Sequence, residues 1–276
     1  MGLLSEKVQF KHNNTGWKGP GEPSWRHLLL RQPREIVRCI IKGTISEAKN
    51  YTIALLANFV NFKILRRFRS QVECLTCDWV GPSYLAVANW RAVTFQSICP
   101  NCGSRSRHRG LTKILPDIIK NKPVGTILFF APELVILNIL VELCQNHILT
   151  TDLNSIDVNF PGEDIQKLSF PDNYFSLIIC NHVLEHVSDD QKALLECARV
   201  LVPGGIALFT IPGEFSIVPT CHYTKIDSGG HYRHYGMDVV NKMDQAFRRV
   251  TAVDMGERAD KRWGIRKGDY AFICIK

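Results

Sequence analysis

Apolar residues follow two regimes along the chain: helical spacing in the front part, and short dense runs separated by turn residues in the back. Phe175 to Cys180 is one such run, too short for a helix and preceded by the turn Phe170-Pro171-Asp172-Asn173, so it reads as a strand covered on both faces. A helix follows, with Ser188 and Gln191 at capping-box spacing, Asp189 and Asp190 in the first turn, and Leu194, Leu195, Ala198 and Leu201 on one face. Val202-Pro203-Gly204-Gly205 stops it, and Ile206 to Ile211 reads as the next strand. This is a βαβ unit of an open α/β sheet, whose ligands lie beyond the carboxyl ends of the strands. Thr126 to Phe130, Ile148 to Asp152, Val250 to Met255 and Tyr270 to Ile275 read as further strands, and Met237 to Ala246 as a helix.

The front is different in kind. Residues 1–24 show no period and read as a loose arm, while the apolar positions from Pro33 to Phe68 predict two helices broken near Gly43. Cys74-Leu-Thr-Cys77 and Cys99-Pro-Asn-Cys102 bring four thiols within reach of one tetrahedral ion, at a spacing near the upper end of the zinc-ribbon range. Zinc is the expected ion, an iron centre or a redox pair being the alternatives. Tyr84, Val87, Trp90, Val93 and Phe95 supply the ribbon's strands. The next segment, Ser104 to Gly110, has two readings: an arginine grip on phosphate or carboxylate, or a polar linker into a helix from Leu111 to Lys120. Pro123 and Gly125 mark a boundary, giving an arm and helices over 1–70, a zinc ribbon and linker helix over 71–123, and an α/β domain over 124–276.

Charge sharpens this division. Residues 1–125 hold 20 Lys and Arg against 7 Asp and Glu, whereas residues 126–276 hold 14 against 19. A basic front suits nucleic acid, an acidic membrane surface or an anionic substrate, and also an ordinary solvated helix face. The cluster Arg66, Arg67, Arg69 follows an amphipathic stretch and can rest on a membrane surface or end a helix packed on its own protein. Met1 to Pro20 lacks the apolar core of a signal peptide, and Tyr51 to Leu65 is interrupted by Asn58, Asn61 and Lys63. A cytoplasmic protein without a transmembrane segment is expected.

Ile165-x-x-Leu168-Ser169-Phe170-Pro171-Asp172, Val183-Leu184-Glu185-His186-Val187 and Arg199-Val200-Leu201-Val202-Pro203-Gly204-Gly205 occur in the order and spacing of a known family. The segment resembles the class I S-adenosylmethionine-dependent methyltransferases, in particular the type-11-like subgroup. The resemblance covers roughly residues 124–276 and implies a Rossmann-like seven-stranded sheet, here with an N-terminal helical segment and a small zinc ribbon.

It also implies a cofactor, S-adenosyl-L-methionine, and its contacts. The family's glycine-rich turn after the first strand is absent: Phe130-Ala131-Pro132-Glu133 stands there, with Ala131 in place of the first glycine, Glu133 in place of the last, and Phe129 where an acidic residue often closes the strand. Glu133 is expected to accept from the cofactor's ammonium. Asp152 matches the ribose-binding acid, Asp164 and Ile165 the adenine contacts, and Asn181 and His182 end the central strand beside the sulfonium. His231-Tyr232-Arg233-His234-Tyr235-Gly236 resembles a His-x-Arg-x-Tyr-Gly element of many relatives.

Methyl transfer to a hydroxyl or ammonium needs a base with pKa near neutrality, so His182, His231 and His234 are the catalytic candidates. Three functions follow. The first is O- or N-methylation of a small-molecule or saccharide acceptor, with an anionic group on it, under a lid made by the ribbon and front helices. The second is an RNA methyltransferase that binds through the ribbon, and the third a non-catalytic binding protein that keeps the fold.

Overall fold

The structure, a computed structural model, describes residues 25–65, 71–89, 91–120, 125–144, 147–216 and 219–276. The arm at 1–24, the cluster Arg66, Arg67, Arg69, the strand residue Trp90 and the boundary at Pro123 lie outside the described residues. The front helices are α1 (Trp25–Ile41) and α2 (Ile45–Phe59), the latter continued by a π-helical turn, Val60–Ile64. Gly43 stands between them with φ of 74°, a left-handed conformation that glycine adopts without steric cost. Asn58, which interrupts the apolar pattern of α2, has a backbone partner. Its amide accepts from Ala86 N at 2.7 Å and donates to Ala86 O at 2.9 Å, pairing with the ribbon as another strand would.

The ribbon consists of β1 (Val72–Glu73) and β2 (Val80–Gly81), then β3 (Leu85–Ala88) and β4 (Val93–Ile98), each pair antiparallel. Its small core is Cys74, Cys99 and the fully buried Tyr84. Helix α3 spans Ser106–Lys120, beginning inside the segment whose two readings were a grip or a linker. Arg109 in its second turn is completely buried, donating to the carbonyls of Ser97, Ser104, Trp263 and Gly264 with its guanidinium 4.0 Å above the Tyr84 ring. It is therefore structural, joining the ribbon to the back of the chain.

The rest forms the expected sheet. β5 (Ile127–Phe130), α4 (Leu134–Leu143), β6 (Ile148–Asp152), β7 (Phe160–Pro161), β8 (Phe175–Asn181), α5 (Asp190–Val200) and β9 (Leu201–Thr210) come in turn. A small hairpin of β10 (Cys221–His222) and β11 (Arg233–His234) follows, then α6 (Val239–Met243), β12 (Arg249–Asp254) and β13 (Tyr270–Ile275). Strand order is β12-β13-β9-β8-β5-β6-β7, with β13 antiparallel to both its neighbours and the others parallel. Alternation along β8 sends Leu177 and Ile179 to one face, with α3 and α4, and Ile178 and Cys180 to the other, with α5 and α6. Phe129 packs in the first of these cores at 0% exposure, so the position that is often acidic in relatives is here a hydrophobic one.

Three local expectations are corrected. The α5 cap is Asp189, which accepts from Lys192 N at 3.0 Å, while Ser188 Oγ donates to Gln166 Oε1. Leu195 is half exposed, and Leu201 begins β9 because a register shift beside Phe175 takes Pro203-Gly204-Gly205 into the strand as an irregularity. Helix α6 is shorter than the pattern suggested.

The His-x-Arg-x-Tyr-Gly element is a clasp. Arg233 and Tyr235 are buried; Arg233 donates to Leu184 O and Ser188 O and lies 3.4 Å from Asp190, while Tyr235 donates to Asp190 at 3.0 Å and Lys242 reaches it at 2.7 Å. Burial raises the Asp190 carboxyl, but Lys242 and Arg233 outweigh it and hold the pKa below the ordinary value. A depressed carboxylate stabilises the fold above its unfolded pKa, about 3.9, and that contribution is lost as pH falls through the lower folded value. Asp190→Asn is expected to lose about 3 kcal/mol at neutral pH in denaturant titrations, with the deficit narrowing only below about pH 4.

Candidate active site

The carboxyl ends of β5, β6, β8 and β9 converge on one edge of the sheet. At the first, β5 ends with Phe130, whose side chain is in the core, and the chain turns at Ala131 with φ of 44°. The turn is the one a glycine would make, held by Ala131 N donating to Thr151 O at 2.8 Å. An L residue pays about 1–2 kcal/mol in this region. Pro132 is buried, and Glu133 opens α4.

Glu133 is already engaged by this chain. Its carboxylate pairs with Arg107, lies 2.9 Å from His108 Nε2, and accepts from Asn181 Nδ2 at 3.3 Å. Burial raises its pKa, yet Arg107 and then His108 outweigh that effect and hold it well below the usual carboxylate range. Asn181 in turn accepts from Thr210 Oγ1 at 3.1 Å, so the ends of β8 and β9 are locked to the turn after β5.

Asp152 ends β6 and accepts with Oδ1 from the backbone of Asn154 and Ser155, both at 2.7 Å. Asp164 makes a similar local turn, accepting from Gln166 N at 2.9 Å. Ile165 is buried in the core beside Leu168 and Phe170. Beyond β8, His182 takes φ of 52°, a second left-handed residue without glycine's freedom. Its Nδ1 lies 3.2 Å from Glu185 Oε1 on the 3₁₀ turn Leu184–His186. His231 has Nδ1 3.3 Å from Asp227 and a ring nitrogen within 4.8 Å of the Glu185 carboxylate, and His234 is paired across the small hairpin with Cys221.

A cavity of about 550 Å³ opens at the ends of β8 and β9, between the sheet, the ribbon strands β3 and β4, and the front helices. His182, Thr210 and Pro212 form its floor, and Arg105, Arg107 and Arg266 contribute charge to its wall. His231 and His234 do not line it. Sequence reasoning gave Glu185, Arg107 and Arg266 no individual role. The three-residue step from His182 to Glu185 is a signal it could have used, since it puts both on one side of a helical turn.

The four cysteines cluster as their spacing implied. Cys74 and Cys102 sulfurs are 3.7 Å apart and those of Cys77 and Cys99 3.8 Å, with all four within 4.8 Å of one another. A tetrahedron with metal–sulfur bonds of about 2.3 Å has edges of about 3.8 Å, so the set fits one tetrahedral ion. Asn101 donates to two of the sulfurs, Cys99 from its backbone and Cys77 from its side chain, both at 3.4 Å.

A family model described as a methyltransferase domain matches residues 136–209, from α4 through β9. The matched segment, with the seven-stranded sheet around it, is similar to a class I methyltransferase domain. Similar curated proteins include a ubiquinone biosynthesis O-methyltransferase of Coxiella burnetii, 34% identical over 71 residues, 26% of this chain and 29% of that protein. A ubiquinone/menaquinone biosynthesis C-methyltransferase of Ectopseudomonas mendocina is 30% identical over 114 residues, 36% of this chain and 44% of its own. The chain thus spans less than half the length of these relatives. Among solved structures, a SAM-dependent methyltransferase from Archaeoglobus fulgidus superposes with a TM-score of 0.44 at 16% identity, covering 63% of this chain and 95% of that one. Among the described residues, no helix is long and apolar enough to cross a membrane.

The turn after β5 is built on alanine. Ala131→Gly is expected to be stabilising or neutral, because relief of left-handed strain offsets glycine's extra unfolded-state entropy of roughly 0.4–1 kcal/mol. Ala131→Val is expected to lower the melting temperature by several degrees, and the pair of thermal melts checks both.

Proposed function

We propose that this chain transfers a methyl group from S-adenosyl-L-methionine to an oxygen or nitrogen of a small-molecule or saccharide acceptor bearing an anionic group. The observation that carries this reading is the cavity: about 550 Å³, walled by Arg105, Arg107 and Arg266, with His182 at its floor. That is the size of a small-ligand site. When bound, the cofactor supplies an electrophilic methyl whose displacement needs alignment and no acid.

The chain's residues do the rest. Asp152 accepts the ribose hydroxyls, Asp164 meets the adenine amine, and Ile165 packs beneath the ring as part of the core. The turn Phe130-Ala131-Pro132 offers backbone to the methionine end. Since Glu133 is held by Arg107, His108 and Asn181, its part is to fix the Arg107 guanidinium, which suits the methionine carboxylate. His182 takes the acceptor's proton at Nε2, because Glu185 accepts from Nδ1 and so sets the tautomer. The four cysteines hold a structural zinc that fixes the ribbon over the cleft. The names of the two quinone-pathway relatives, which methylate at O or C, support a small acceptor.

Incubating the purified protein with labelled cofactor and cell extract, with and without ribonuclease, tests the acceptor class. Label is expected in a small acidic product that survives ribonuclease; label destroyed by ribonuclease overturns the reading in favour of RNA. Separately, Asp152→Ala is expected to weaken cofactor binding roughly tenfold to a hundredfold, the equivalent of about 1.5–3 kcal/mol for a charged hydrogen bond, by calorimetry. Unchanged affinity removes the ribose assignment, and absence of binding by the unmutated protein marks a non-catalytic fold.

A further inference from the structure

We infer that Glu185, His186 and His231 form a second metal site, one for a divalent first-row transition ion, beside His182 and separate from the four cysteines. One ligand atom from each of the three lies within 4.8 Å of the others. Glu185 is 1% exposed, and its Oε2 has no hydrogen-bond partner among the described residues. Its other oxygen, Oε1, is 3.2 Å from His182 Nδ1 and 4.0 Å from His186 Nε2. A buried carboxylate with one oxygen unpaired calls for a cation beside it.

The two imidazoles are set up as ligands. His186 Nδ1 lies 3.2 Å from Gly230 O, and His231 Nδ1 lies 3.3 Å from Asp227 Oδ2. An Nδ1–H donated to a carbonyl or carboxylate leaves Nε2 with its lone pair, the outer-shell arrangement that orients metal-binding histidines. The loop is itself anchored: Tyr232 N donates to Glu185 O at 2.8 Å, and Asp227 Oδ1 accepts from Gly229 N at 2.7 Å and His231 N at 2.9 Å. The His186 and His231 rings meet edge to face at 4.8 Å.

Metal–nitrogen and metal–oxygen bonds of about 2.1 Å allow donors at most about 4.2 Å apart, so the set closes by about half an ångström on binding. Rotation of the partly exposed imidazoles is enough, their side chains being 45% and 31% exposed. Two imidazoles and one carboxylate select zinc, cobalt, manganese or ferrous iron over magnesium and calcium, which prefer all-oxygen shells. Three protein ligands leave coordination positions open. On the methyl-transfer reading, on which this last step rests, the ion shares Glu185 with His182 and so holds the carboxylate that orients that imidazole.

The test measures metal directly, without cofactor or acceptor, so it stands or falls apart from catalysis. Untagged protein is dialysed to equilibrium against zinc, or against cobalt as a spectroscopic probe, and its metal content measured. Two ions per chain are expected, one lost in Cys99→Ser and the other in His186→Gln and His231→Gln, each of which weakens the second ion at least tenfold. Cobalt in the second site is expected to show visible ligand-field bands without thiolate charge transfer. Circular dichroism checks that the substituted proteins fold; should either fail, Asp227→Asn, which removes the carboxylate beside His231 Nδ1 and its exposed pair with Arg91, is expected to weaken the second ion by a smaller factor. A single ion per chain at saturation, or a second ion that survives both histidine substitutions in folded protein, overturns the site.

Discussion

A guanidinium buried without a carboxylate holds this molecule together. Arg109 has no exposed surface and donates to four carbonyls, two from the ribbon side and two from the loop between β12 and β13. Burial lowers its pKa, and Tyr84 and the cysteine sulfurs pull the other way. A four-thiolate metal site carries surplus negative charge, and the buried Arg109 interacts favourably with Cys74, Cys99 and Cys102. Tyr84 shares the junction, its hydroxyl donating to Glu73 O at 2.7 Å and Trp263 O at 3.0 Å while its ring lies under the guanidinium. The position of the ribbon over the sheet, and with it the cavity, depends on that one charged group being satisfied by backbone.

The same helix turn serves both ends of the site. Arg109 faces the ribbon while its neighbours Arg107 and His108 reach Glu133 at the turn after β5. The strained residues lie where these links arrive: Ala131 and His182 hold left-handed backbone at the ends of adjacent parallel strands. Each is fixed by a neighbouring carbonyl, Thr151 O for Ala131 N and Thr210 O for His182 N, both at 2.8 Å. Strain of this kind persists only where surrounding structure over-determines it. A ribbon clamped by Arg109 and a turn clamped by Glu133 supply that surrounding structure.

What was legible in the sequence was whatever burial repeats at a fixed period. Strands β6 and β13 fall on the residues expected of them: β13 is an apolar run, and in β6 the β-branched Thr150 and Thr151 follow Ile148 and Leu149 into the buried sheet. The cysteine pairs were legible because a tetrahedral ion constrains spacing. Arg109 was not, because a buried arginine is recognisable only through partners up to 155 residues away in sequence. The intramolecular partners of Glu133 were not legible for the same reason: Arg107 and His108 come from a helix whose first turn looked like linker. The α5 cap moved from Ser188 to Asp189 because Gln166, twenty-two residues upstream, takes the serine hydroxyl.

The charge asymmetry can now be assigned to particular arginines. A protein that binds nucleic acid through its backbone needs cations along an open groove, with aromatic faces between them for stacking. Here Arg109 is spent on carbonyls, Arg262 pairs with Asp260 at 2.7 Å and Glu73 at 3.3 Å, and Arg38 pairs with Glu35 at 3.2 Å. Arg105, Arg107 and Arg266 line one cavity together with Asp269, Arg107 also pairing with Glu133, and the cavity's floor is a histidine backed by a carboxylate. Among the described residues, cations gathered around one cavity support the small charged ligand proposed above. The ribbon's part in that arrangement is steric and electrostatic together: it lines the space with β3 and β4, and the segment that leaves it carries Arg105 just before α3 and Arg107 in its first turn.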